Sequence, residues 1–109
     1  SQFHIVPFDV AEKPQGAKGL DIDARTVSGE RIIGEIKTTV PYKGTQFGAA
    51  QITALRKDFA KLQANEAPHK YMFVTDQAAF EALKRGFTRE LDGVRIVCLS
   101  SREEYLVPG

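Results

Sequence analysis

A single cysteine in 109 residues leaves no partner for an intrachain disulfide. That residue, Cys98, lies in the apolar run Val94-Arg95-Ile96-Val97-Cys98-Leu99, where a buried thiol without nucleophilic duty is expected. No apolar stretch approaches the ~20 residues of a membrane-spanning helix, and no signal-peptide pattern opens the chain. A soluble, cytoplasmic setting without a membrane partner is the expectation. Histidine is scarce too. His4 and His69 form no paired His/Cys spacing of the kind a zinc site needs, and His69, following Pro68, is expected at the surface. A glycine-rich phosphate loop, a nucleophile elbow, internal repeats and low-complexity segments are all missing. Neither sign of charge dominates, and a net charge of +1 by itself points to no nucleic-acid partner.

What the chain does have is enough apolar material for one core, 42 % of its residues, which assigns 1–109 to a single domain. Ile52, Leu55, Phe59 and Leu62 recur at spacings of three and four within about Ala49 to Ala64, an amphipathic helix. Tyr71-Met72-Phe73-Val74 runs without alternation, as in a central strand covered on both faces. Asp76 is placed to cap a second helix through about Arg85, with Phe80, Leu83 and then Phe87 directed at the sheet, and Val94 to Leu99 supplies a further strand. The order strand, hairpin, helix, strand, helix, strand predicts an α/β sandwich around a mixed sheet of about five strands flanked by helices.

The densest chemistry lies in Gly19 to Thr39. Leu20, Ile22 and Ala24 alternate with Asp21, Asp23 and Arg25, so a strand would send the three charged side chains to one face. After Ser28-Gly29, which suits a turn, Ile33, Glu35 and Lys37 share one face while Ile32, Gly34, Ile36 and Thr38 take the other. A turn centred there sets Asp21 or Asp23 across from the Glu35 to Lys37 region. Carboxylates converging in this way repel unless a cation or water neutralises them. A hard cation such as Mg²⁺ takes oxygens from one or two carboxylates and keeps several waters, one of which can attack a phosphodiester. Lys37 is then placed to hold a phosphate oxygen or to offset developing charge.

These residues resemble the PD-(D/E)xK nuclease superfamily, the group of restriction endonucleases, Holliday-junction resolvases and DNA-repair nucleases. Gly19-Leu20-Asp21-Ile22 looks like its aspartate strand and Gly34-Glu35-Ile36-Lys37-Thr38-Thr39 like its triplet strand, in a form similar to restriction-enzyme-like members; the resemblance runs from Gly19 to about Leu99. It implies a restriction-endonuclease-like fold, Asp21 and Glu35 as metal ligands with the Ile36 carbonyl as a third, and Lys37 as the catalytic lysine. Two departures stand out. No proline precedes Asp21, and Asp23 is a rival ligand on the same face, although Asp21 is favoured. Ser1 to Lys18 is also too short and too interrupted by proline for the family's leading helix together with a strand, which suggests a truncated or excised catalytic domain.

Around this centre, Val40 to Gly48 reads as a loop after the active-site strand, making Tyr42, Lys43 and Gln46 candidate DNA contacts. Gln51 shares the inward stripe of the first helix and needs a partner: it either assists the site by orienting a water or touching the scissile phosphate, or caps the loop backbone. Lys37, Lys43, Arg56, Lys57, Lys61, Lys70, Lys84, Arg85 and Arg89 recur through the middle and later part of the chain, as a DNA surface or as solvated helix faces. The expected function is a Mg²⁺-dependent deoxyribonuclease, with Mn²⁺ as substitute, acting on DNA as a homodimer or beside a further domain. The alternatives are a structure-selective nuclease such as a junction resolvase, and a non-catalytic DNA-binding or assembly module.

Overall fold

The computed structural model describes residues 19–42 and 44–108. The first described element is a hairpin. β1 (Ile22–Arg25) and β2 (Arg31–Lys37) pair antiparallel, with Ile22 opposite Gly34 and Asp23 opposite Ile33. The turn closes through Gly29 N donating to Thr26 O at 2.9 Å and Thr26 N donating to Glu30 O at 2.8 Å. Gly29 has φ of 92°, a conformation that disfavours any residue with a Cβ, so the Ser28-Gly29 turn signal is a backbone requirement.

From β2 the chain crosses through α1 (Ala49–Gln63) to β3 (His69–Val74), which runs parallel to β2, and through α2 (Gln77–Gly86) to β4 (Val94–Cys98), parallel to β3. A short strand, β5 (Glu104–Leu106), returns antiparallel along β4. The sheet order β1-β2-β3-β4-β5 follows the chain. α2 starts as the sequence predicts, with Asp76 Oδ2 accepting from Ala79 N at 3.0 Å. Among the described residues the result is an α/β fold with a five-stranded mixed sheet and two helices.

Both helices lie on one face of the sheet. Leu55, Phe59 and Leu62 of α1 and Phe80 and Leu83 of α2 share a single core with Ile33, Met72, Val74, Val94, Ile96 and Cys98. These strand residues are the alternate positions that point one way. Cys98 is buried there, as expected. Phe87, at the C-terminal cap of α2, packs against Phe47 and Phe59 with centroids 6.0 and 5.8 Å away. On the opposite face Tyr71 and Phe73 stack with centroids 5.3 Å apart. A Cβ on Gly34 would meet Tyr71 O at 3.3 Å and Phe73 Cε2 at 3.4 Å, so the absent side chain lets this stack lie close against β2.

The sheet differs from the expected one in three respects. Its fifth described strand is β5, which three residues after a run of turns did not announce; the expected leading strand lies outside the described residues. β3 is central, yet Tyr71 and Phe73 are only half-buried, because among the described residues no helix covers their face. For the same reason the flanking of the sheet by helices holds, among those residues, on one side alone.

Candidate active site

Asp21 and Glu35 meet where β1 begins. Ladder pairing starts at Ile22, and one residue earlier the backbone bonds give way to side chains: Asp21 N donates to Glu35 Oε2 at 3.1 Å, and Ile36 N donates to Asp21 Oδ2 at 2.9 Å. Each carboxylate therefore caps the other strand's N–H, and the Ile36 peptide lies between them. Asp21 is exposed, whereas Glu35 is 2 % exposed. Burial pushes the Glu35 carboxyl above its ordinary pKa, against the opposing pull of the Asp21 N–H and of Lys61.

Asp23, on the same face, does something else. Arg31 grips it with a fork, Nε to Oδ1 at 3.0 Å and a terminal nitrogen to Oδ2 at 2.8 Å, while the other terminal nitrogen reaches Glu66 O at 3.1 Å. The Asp23 hydrogen bond holds the guanidinium above its ordinary pKa. Asp23 belongs to a closed ion pair, and Asp21 is the acid that meets Glu35.

The second layer of charge comes from α1. Lys61 Nζ lies 3.3 Å from Glu35 Oε1, 3.3 Å from Asp58 Oδ1 and 3.4 Å from Gly19 O. Asp58, itself buried, places Oδ2 2.6 Å from Lys37 Nζ, a close ion contact outside hydrogen-bond alignment, since that oxygen has no hydrogen-bond partner. Burial would lower the Lys61 pKa; the Glu35 and Asp58 carboxylates outweigh it and raise it. Lys37, Lys57, Asp58 and Lys61 line an open pocket of about 620 Å³ together with Ala50, Thr53 and Ala54 of α1. The sequence pattern does not mark Asp58 and Lys61 as site residues. The available signal was a carboxylate within the apolar stripe of Leu55, Phe59 and Leu62, a position that requires a charged partner across the interface.

Gln51 stands apart from this pocket and caps the loop. Its Oε1 accepts from Tyr42 N and from Gly48 N, each at 2.9 Å, and its Nε2 donates to Val40 O at 2.7 Å. Gln51 thus caps the Val40 to Gly48 backbone, as one of the two alternatives has it, while Nε2 keeps a second N–H beyond the bond to Val40 O. Tyr42 and Gln46 line a separate pocket of about 410 Å³ with Gln51, and Tyr42 is 76 % exposed. Lys43 lies outside the described residues, as does His4. His69 opens β3 with Nε2 2.7 Å from Glu30 Oε1. Of the recurring basic residues, Arg56 pairs with Glu90, Lys70 with Gln63 at 3.0 Å, and Lys84 with Glu81 at 3.8 Å; Arg85 donates to Thr45 O at 2.6 Å. These are local surface pairings, while Lys37, Lys57 and Lys61 gather at the pocket.

Among the described residues no three His, Cys, Asp or Glu side chains converge as a metal cage. Asp21 and Glu35 form an all-oxygen pair, which suits a hard cation that keeps much of its water and does not suit a fully protein-ligated zinc. Comparison of the chain with known protein families, with curated proteins and with solved structures finds no match.

Proposed function

We propose that this chain is the catalytic domain of a metal-dependent DNA endonuclease with a restriction-endonuclease-like core, a member of the PD-(D/E)xK superfamily. The observation that carries the reading is the reciprocal capping of Asp21 and Glu35 around the Ile36 N–H, with Lys37 next along the same strand face. An arrangement that draws two carboxylates together at a strand end, one of them buried, opposes their mutual repulsion and favours a cation. The topology is consistent with it: an antiparallel aspartate strand beside the triplet strand, a helical crossover, and a parallel strand beyond.

In this reading Asp21 and Glu35, with the Ile36 carbonyl, hold Mg²⁺. The bound ion supplies positive charge at the phosphodiester and lowers the pKa of its water. Asp21, exposed and facing solvent, leaves room for that water, while Glu35 is fixed from below by Lys61. Lys37 turns its ammonium from Asp58 to the phosphate oxygens and stabilises the charge that builds on them during in-line attack. Tyr42, Gln46 and Lys57 are the described side chains placed to touch the DNA flanking the scissile bond.

Incubation of the wild-type chain and of Lys37→Ala with supercoiled plasmid and Mg²⁺ tests this. Nicking by the wild type and none by the variant is expected; equal nicking by both removes Lys37 from the chemistry and the assignment with it. Including a four-way DNA junction among the substrates separates a restriction-type enzyme from a resolvase.

A further inference from the structure

Each charge of the Glu35-Ile36-Lys37 triplet is matched by an opposite charge from α1, Glu35 by Lys61 and Lys37 by Asp58, and the two helix residues touch each other as well. Three carboxylates, Asp21, Glu35 and Asp58, face two ammoniums, Lys37 and Lys61, so the cluster carries one net negative charge. A divalent cation together with one phosphodiester brings it to neutrality.

Resting on the nuclease reading, we infer that Lys61 is a built-in counter-ion standing in for the metal, and that its transfer from Glu35 to Asp58 on metal binding releases Lys37 for the phosphate. Lys61 is suited to this. Its ammonium is within 3.3 Å of both carboxylates at once, so a small rotation of its long side chain moves it wholly onto Asp58. It is 35 % exposed at the rim of the pocket, so solvent accompanies the exchange. Asp58 has Oδ1 3.3 Å from Lys61 and Oδ2 2.6 Å from Lys37, so both ammoniums draw on one carboxylate, and a Lys61 charge moved wholly onto it offsets its pull on Lys37 and repels that ammonium. Lys61 is thus a positioning residue for Lys37. In the absence of metal the lysine is retained, which restrains phosphate binding by an enzyme that holds no metal to cleave it.

The test reads the reactivity of Lys37 towards an amine-acylating reagent, residue by residue by mass spectrometry, with and without saturating Mg²⁺, alongside calorimetric titration of the metal. Ion pairing protects an amine from acylation. In the wild type Mg²⁺ raises Lys37 labelling several-fold. In Lys61→Met the metal binds at least about tenfold more tightly, because a competing positive charge is gone, yet Lys37 labelling no longer responds to metal, since nothing arrives to occupy Asp58. In Asp58→Asn, Lys37 is labelled rapidly with or without metal. A wild type that binds Mg²⁺ without change at Lys37, or a Lys61→Met chain whose Lys37 still responds, overturns the inference alone. A wild type that binds no metal overturns the nuclease reading as well.

Discussion

Asp23 and Glu35 share one face of one hairpin, and the chain treats them oppositely. Asp23 is answered within the sheet by Arg31, whose planar fork fills both carboxylate oxygens. Glu35 is answered by a single lysine from another element at 3.3 Å and by one backbone N–H. A bidentate arginine pair is geometrically complete and has little to offer a metal. An ammonium on a flexible stem is exchangeable. Face parity alone makes Asp21 and Asp23 equivalent; the identity of the base opposite each acid separates them, closing Asp23 in a forked pair and leaving Glu35 with an exchangeable partner.

The largest expected contrast is in catalysis. Lys37→Ala lowers plasmid cleavage by about a thousandfold or more, because it removes charge stabilisation of the transition state; the fold is retained at a lower melting temperature, since the buried Asp58 carboxylate keeps only Lys61 as partner. If cleavage survives, the Glu35 to Lys37 strand is not the reaction centre. Next, Asp21→Asn and Asp23→Asn separate the two acids. The first abolishes metal binding with the fold intact; the second leaves cleavage within about threefold and lowers stability in urea by about 1 kcal/mol, the worth of a partly exposed ion pair. Matching losses of activity would dissolve the distinction between the two acids.

A pH series addresses the buried acid. Burial raises the folded-state pKa of Glu35, so the folded protein holds the proton more firmly than the unfolded chain does. This contribution to stability is fully present below the ordinary glutamate value and is lost as pH rises through the raised folded value. The wild type therefore loses stability relative to Glu35→Gln across that window, read as the difference in their melting temperatures; a difference independent of pH would contradict the burial effect. The smallest effect falls at the loop. Gln51→Ala costs about 1 kcal/mol per lost backbone bond and leaves the cleavage rate close to wild type once folded, whereas a large loss of rate with full stability would return Gln51 to the chemistry.

Much of this architecture was legible in the residues. The turn at Ser28-Gly29, the stripe of Ile52, Leu55, Phe59 and Leu62, and the Asp76 cap are local signals, set by backbone geometry and periodicity, and the elements follow them. That an aspartate of the first arm meets the Glu35 to Lys37 region was legible as well, since hairpin register follows from the position of the turn, but the turn left Asp21 and Asp23 as alternatives. Three features were not. β5 is three residues long and takes its form from the edge of β4 rather than from its own pattern. The half-exposed side of Tyr71 and Phe73 depends on which sheet face the crossovers choose. The α1 charges meet the triplet only after that choice is made, so Asp58 and Lys61 looked like ordinary helix residues although Asp58 sits in an apolar stripe.

The pair of Asp21 and Glu35 is most directly examined by calorimetric titration of Mn²⁺ into the wild-type chain and into Glu35→Ala under identical conditions. Saturable binding by the wild type, lost in the variant while its circular dichroism is unchanged, is the predicted result. No heat of binding in the wild type, or the same isotherm for both chains, would contradict the assignment of Asp21 and Glu35 as a metal site.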